Sequence, residues 1–465
     1  MTAALRQSFA SLAVPNYRLY FTGMLASLAG SWMQIVAELW LILTLTGSGV
    51  AVGLATALQF TGLLLFGAWG GVLADRFDKR RLLMIAQGAM AIPALALLGL
   101  WLGGLVTVPI VLALIAVRGL AMAIDIPLRQ AFVIEIVGRD RVVNAVSLNS
   151  VLVQGARIVG PAVAGIIIVF FGVGPVFAIN AATFGVMVLM LARMDPAQLR
   201  TPSGSRRAAA DPAMASQSRA ARGLTGSARD FVVGRGRAER PAAVRAAAST
   251  QTAGSPGGVR EAIRYVRATP ELRVPLALMA VLGTFGFNFH VILPLLARFS
   301  FGGEITHYSA LLVAMGLGAI SGALVYGASG RTGPQVVAGS ALAFGTAALL
   351  AAAAPTLGLE MLALALLGAT AVVFAAAVSS GLQLDSAPEM RGRVMALYSI
   401  VFVGTTPIGG PLAGWLSGAV SPRASLLLAG VAGIVVAAAG AYLSRRKHSE
   451  SRSEIPTGEL PAPAG

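Results

Sequence analysis

A chain of 465 residues with 56% hydrophobic and only 12% charged side chains, and a mean hydropathy of +0.79, is too apolar for a soluble domain, where about 25% of residues carry charge. The formal net charge of +16 would suggest nucleic acid in a soluble protein. Here the basic residues gather in short connectors between apolar stretches, the pattern of a membrane protein, and the absence of cysteine excludes disulfides and thiolate metal sites.

A bilayer core of about 30 Å takes about 20 apolar residues in a helix, and helices are the default because lipid cannot hydrate free peptide groups. The apolar runs are continuous, unlike the alternating strands of a barrel. The first predicted span is Tyr17–Leu45, too long for a cleaved leader. Val50–Ala74 follows, ending on the charged run Asp75 to Arg81, and then Leu82–Leu102. A fourth span starts at Val108 and is expected to end near Asp125-Ile126-Pro127. A polar connector with Arg129, Glu135, Arg139, Asp140 and Arg141 leads to a fifth at Ala145–Phe170, and a sixth ends near Arg193. Residues 195–258 are rich in Ala, Arg, Ser, Gly and Pro, with too few large apolar groups to offset ordering. They are expected to form a disordered, basic cytoplasmic linker.

After it, Val259, Ile263 and Val266 share one helical face and Arg260, Arg264 and Arg267 another, a basic amphipathic helix suited to a membrane surface. The remaining spans are Pro275–Ala297, Tyr308–Ala328, Gln335–Ala354, Leu359–Leu382, Val394–Ser417 and Arg423–Tyr442, before a polar tail. The expected organisation is a six-helix lobe (1–194), the linker (195–258), a second six-helix lobe with its amphipathic lead-in (259–444), and a cytoplasmic tail (445–465). One set of turns holds nearly all the exposed Arg and Lys, while the opposite set holds only Arg298 and Arg423. That asymmetry predicts a multi-pass protein of the plasma (inner) membrane with both termini in the cytoplasm.

The halves echo one another. Arg141 precedes Gly160-Pro161 by 19 residues and Arg391 precedes Gly410-Pro411 by 19, with 250 positions between the pairs. A six-helix unit repeated around a central loop is the parallel-repeat plan of a two-lobed transporter.

Between the second and third spans, the run from Gly71 through Asp75-Arg76-Phe77-Asp78-Lys79-Arg80 to Arg81 resembles the signature loop of the major facilitator superfamily. Asp78 stands where that loop usually has its second glycine. Gly71 would admit a neighbouring helix, Asp75 would accept from a helix N-terminus, and Arg76, Lys79 and Arg80 would hold the loop inside. Arg118-Gly119, then Asp125-Ile126-Pro127-Leu128-Arg129-Gln130-Ala131 and Asn144-Ala145, look like the helix 4–5 region of the enterobactin-exporter branch, which also holds macrolide and multidrug exporters. Val259 to Val266 and Arg391 to Leu397 loosely resemble that branch's helix 7 lead-in and helix 10–11 loop. The resemblance implies an all-α fold of twelve transmembrane helices in two six-helix lobes, and gives Arg118 the position of a family arginine implicated in proton coupling. Gly155, Gly160-Pro161 and Gly165 resemble the Gly-Pro antiporter motif. Small residues there let lobes pack closely and Pro161 bends the helix; an ordinary kinked packing helix is the other reading.

Glu38, Arg118 and Arg157 fall inside predicted spans, where each costs about a few kcal/mol unless paired or hydrated. Glu38 is expected to bind and release a proton, with Arg118 or Arg157 setting its affinity, since a nearby Arg lowers a carboxylate pKa and desolvation raises it. A Glu–Arg pair that only fixes packing is the alternative. Trp32, Gln34, Gln59, Gln154, Asn180, Asn288 and His290 are candidates for a midplane pocket, or for interhelical hydrogen bonds worth about 0.6 kcal/mol each.

The sequence has no phosphate loop or metal-ligand spacing, and its three histidines are scattered. Catalytic residues, a metal and a cofactor are therefore not expected. The expected partners are the lipid bilayer, a small-molecule substrate and protons, not nucleic acid. The favoured reading is a secondary transporter exporting a small, largely apolar, drug- or siderophore-like compound by proton antiport. A facilitator or importer of a defined metabolite stays open. So does a non-transporting membrane receptor or scaffold that docks through the linker.

Overall fold

Segments that must hide their peptide groups from lipid close their hydrogen bonds internally. The computed structural model, which describes residues 10–138, 141–199 and 256–453, is accordingly all-helical across them. The first lobe comprises α1 (Pro15–Thr46), α2 (Gly49–Arg76), α3 (Lys79–Leu102), α4 (Val108–Val137), α5 (Val142–Phe171) and α6 (Gly174–Ala192). After α7 (Pro256–Ala268), the second lobe comprises α8 (Pro270–Phe285), α9 (Phe289–Ser300), α10 (Ile305–Ser329), α11 (Pro334–Ala353), α12 (Leu357–Asp385), α13 (Arg391–Gly404), α14 (Thr406–Ala419) and α15 (Pro422–Ser453). With α8–α9 and α13–α14 each forming one span, 11 spans among the described residues are long and apolar enough to cross a membrane. The twelfth is α5, whose apolar stretch is Gly155–Phe171.

The signature run is not a loop. Gly71 to Arg76 complete α2 and Lys79 begins α3, leaving only Phe77 and Asp78 between. Asp78 caps α3: its carboxylate accepts from the Arg81 N–H at 2.8 Å, satisfying one of the four orphan donors of a helix start. Arg80 caps the other way, donating to the Leu191 and Ala192 carbonyls at the end of α6 (2.6 and 2.7 Å), while Lys79 pairs with Glu135 of α4 (2.6 Å). The side-chain surroundings of Gly71, Asp75 and Gln154 lie outside the described residues, as does nearly all of the predicted linker.

Three boundaries depart from expectation. First, α4 does not stop at Pro127 but continues to Val137, so Asp125, Pro127, Arg129 and Gln130 are helical and not a connector. Proline removes one N–H, and here the Ala123 carbonyl it would have met lies against Gly70 of α2, too close for any side chain there. Second, the seventh span breaks between α8 and α9, because the Asn288 side chain donates to the Thr284 carbonyl (2.6 Å) in place of the helical ladder. Third, the eleventh span breaks at Thr405. Pro407 has no N–H to give the carbonyl four residues back, so the ladder is interrupted where the two helices meet. The tail is also partly helical, since α15 runs on to Ser453.

Matching helices pack in matching ways: α2 on α4 as α10 on α12, and α3 on α6 as α11 on α15. The lobes meet along two seams. In one, α2 lies on α14, where Gly53 and Gly410 leave no room for side chains between backbones. In the other, α5 lies on α10, with Gly165 against Ser309 and Ile158 against Gly316. Close backbone approach through small residues is how helices associate where lipid removes the hydrophobic drive. These contacts sit at mid-bundle or toward the end away from the termini. On the terminal side, α7 buries Ala262 and Val266 and ties to the second lobe through Glu261–Arg393 (2.7 Å) and an Ala387 N–H donated to the Tyr265 hydroxyl (3.1 Å). Its Arg260, Arg264 and Arg267 remain exposed.

Candidate functional site

Gly119 follows Arg118, and a Cβ there would meet the Gln59 carbonyl at 2.5 Å. Its absence lets α4 press against α2 and carries Arg118 into the middle of the first lobe. Arg118 and Glu38 are 2% and 1% exposed, so neither charge is balanced by solvent. Arg118 Nη2 donates to Glu38 Oε2 at 2.5 Å and to Gln59 Oε1 at 3.3 Å. The other carboxylate oxygen, Oε1, accepts from Gln34 Nε2 at 2.6 Å. Gln34 in turn accepts from Asn180 of α6, and Asn180 accepts from the Thr183 hydroxyl at 3.1 Å. Four helices thus contribute to one buried polar chain. An ion pair withdrawn from water is tolerable only when its remaining lone pairs are satisfied, and both oxygens of Glu38 are.

Nearer the termini lies a second cluster, one the family-like residues Asp125 and Arg129 only half revealed. They pair at 2.6 Å, one helical turn apart. Gln87 of α3 donates to Asp125 (2.6 Å), Ser27 of α1 donates to Gln87 (2.9 Å), and Arg129 donates back to Ser27 (3.1 Å). Ser27 and Gln87 had no sequence signal beyond being polar within a span. Gln130 is exposed and stands apart.

Between the lobes is a cleft of about 80 Å³ lined by Trp32, Arg157, Pro161, His290, Tyr308 and Met315, among other mostly apolar groups. The Arg157 guanidinium lies over the Trp32 ring at 5.2 Å. Trp32 stacks on His290 across the interface (5.5 Å, 28°), with Phe60 on the same histidine at 6.3 Å. Trp40 stacks on Tyr308 (6.2 Å, 16°). Drug-sized ligands occupy pockets of roughly 300–1,000 Å³, so the lobes must part to admit one.

The predicted site residues therefore separate. Glu38 and Arg118 come together with Gln34, Gln59 and Asn180, whereas Arg157 joins Trp32 and His290 in the cleft. Asn288 is at the α8–α9 break, packed beside Gly409. On α5, Gly160 meets the Trp32 Cβ and the α1 backbone, Gly165 meets Ser309 of the other lobe, and Gly155 faces open space. Phe60, Trp40 and Tyr308 carry no sequence signal of their own, because an aromatic in an apolar span has no distinguishing pattern.

A family profile described as transmembrane secretion effector matches residues 6–207 and 240–464. The staphyloferrin A transporter of Staphylococcus aureus is 26% identical over 172 residues, 37% of this chain and 43% of that one, so this alignment spans less than half of that relative. The enterobactin exporter EntS of Salmonella choleraesuis is 25% identical over 435 residues, 91% of this chain and 90% of that one. Among solved structures, a nucleoside transporter, NupG, aligns with a TM-score of 0.66 at 15% identity, covering 92% of this chain and 99% of that one. A bacterial homologue of the lysosomal transporter Spinster, in an inward-facing state, aligns at 0.64 and 15% identity, covering 96% and 98%. At such identities the structural likeness speaks for the fold.

Proposed function

The chain belongs to the transmembrane secretion effector family of the major facilitator superfamily, a family of transporters and not of enzymes, and we propose that it exports a small organic compound in exchange for protons by alternating access of its two lobes. One observation carries the coupling: Glu38 and Arg118 form a buried, hydrogen-bonded ion pair in the middle of the first lobe. A pair so placed costs free energy unless it works or is fully compensated. Protonating Glu38 would release Arg118 and Gln34 together, and Gln34 leads through Asn180 to α6, so a proton binding here alters contacts among α1, α2, α4 and α6. Return of the proton to the opposite side would restore them.

Alternating access is supported by where the lobes touch. The Gly53–Gly410 and Gly165–Ser309 seams lie away from the termini, and charge sidedness supports cytoplasmic termini. Parting these seams exposes the cleft to the outside. Relatives named for siderophore transport support a siderophore-like or drug-like compound with a substantial apolar surface as cargo. Cells with and without the protein, screened for susceptibility to and accumulation of drugs and siderophores, identify a substrate. Inverted vesicles then test coupling: Glu38→Gln is expected to abolish accumulation driven by an imposed pH gradient while leaving downhill exchange. Full proton-driven uptake by Glu38→Gln would overturn the coupling role.

A further inference from the structure

The interlobe cleft has a lopsided electrostatic character that the coupling pair does not explain. Its walls are aromatic and aliphatic, and no carboxylate is among its lining residues. Arg157 nevertheless faces into it, exposed to the opening and held over Trp32, and no acidic side chain pairs with it among the described residues. A cation resting on an indole face is held mainly by the ring quadrupole, which leaves its N–H groups able to bind an anion. On the wall from the other lobe, Tyr308 is 0% exposed, and its hydroxyl has no hydrogen-bond partner, although a buried phenol normally finds one. A cation on one lobe and a phenol with an unused hydroxyl on the other, both lining one aromatic cleft, supply the chemistry of a carboxylate site.

We infer that the transported compound is an organic anion with an aromatic or similarly flat apolar body: its acidic group binds Arg157 and the Tyr308 hydroxyl, and its body stacks within the Trp32–His290 layer. This rests on the reading of the cleft as the substrate site and narrows the cargo from apolar to amphipathic and acidic. Because the two polar contacts come from different lobes, an anion bridging them would favour the state in which the lobes are closed around it.

Benzoate, benzamide and benzylammonium share a ring and differ in charge, so equilibrium dialysis of the three against the purified full-length protein tests the site directly. Benzoate is expected to bind at least about tenfold tighter than benzamide, the scale of one charge-assisted contact, and benzylammonium weakest. Arg157→Gln should bring benzoate down close to the affinity of benzamide, weakening the acid far more than the amide. Arg157→Lys should keep part of the preference, and Tyr308→Phe should weaken benzoate about threefold or more. Equal binding of acid and amide to the unaltered protein, no binding of any of the three, or an acid preference that survives Arg157→Gln would each overturn the inference. Proteoliposome flux separates it from the transport reading. An intact acid preference without benzoate flux leaves the anion site standing and counts against transport, whereas equal flux of acid and amide does the reverse.

Discussion

In the first lobe Glu38 is buried and both its oxygens accept hydrogen bonds, from Gln34 and Arg118. In the second lobe Glu360, at the start of α12, is equally buried, yet neither of its oxygens has a hydrogen-bond partner. The first lobe is further laced by Asp125–Arg129 with Gln87 and Ser27, and by Lys79–Glu135. Close backbone packing is common to both lobes, with Gly318 and Gly322 of α10 against α12 in the second as Gly70 and Gly119 lie between α2 and α4 in the first. The second lobe also carries both helix interruptions, at Gly286–Asn288 and Thr405, where the matching fifth span of the first lobe is one continuous helix despite Pro161. Two copies of one plan have thus diverged: one carries the polar cross-links, and the other carries the broken spans, at which it is expected to bend.

The largest effect that probes this contrast is Arg118→Ala. It leaves Glu38 charged and uncompensated in the middle of the first lobe, a loss of about 3–5 kcal/mol for a broken buried pair. Thermal unfolding in detergent is expected to show a large drop in stability, and Glu38→Gln in the same chain should recover much of it. No drop with Arg118→Ala would mean that the pair contributes little to this lobe, and a drop that Glu38→Gln leaves unrescued would mean that the stranded charge is not its cause. Next, Pro407→Ala returns a backbone donor to the α13–α14 junction, a gain of about 1 kcal/mol at most. Turnover is expected to slow while stability rises, and unchanged transport would remove Thr405 as a hinge. The smallest effect on transport belongs to Asp78→Ala, which strips the side-chain cap from α3 at a cost of about 1 kcal/mol in stability. The equivalent joint in the second lobe, before α11, already lacks a side-chain cap and turns through Gly330 and Gly333 at positive φ. Asp78→Ala therefore makes the first lobe resemble the second at this corner, and a modest thermal shift with intact transport is the expected outcome.

Much of this molecule is legible in its residue order. The number of spans and the presence of Glu38, Arg118 and Arg157 inside apolar stretches follow from hydropathy, which adds up over windows of about 20 residues and needs no knowledge of neighbours; the repeat follows from the matched spacing of Arg141 and Arg391 to their Gly-Pro pairs. The spans that broke, at Asn288 and Thr405, were harder, because a proline or asparagine in a membrane helix bends or breaks it according to whether neighbouring groups take up the freed backbone partners. Pro127, in an unbroken helix, shows the opposite outcome from the same residue type.

Which buried charge meets which is a matter of helix rotation, and only the tertiary structure decided it. Residue order left Glu38 to pair with Arg118 or Arg157; packing of Gly119 against α2 awarded it Arg118. Arg157 was sent instead to the interlobe cleft beside Trp32. A rotation of about 100° separates consecutive residues on a helix, so the same apolar window buries equally well with its one polar side chain turned toward a partner helix or toward a cavity. Length and hydropathy set how many helices cross the membrane, and side-chain pairing between them set what each charge is for.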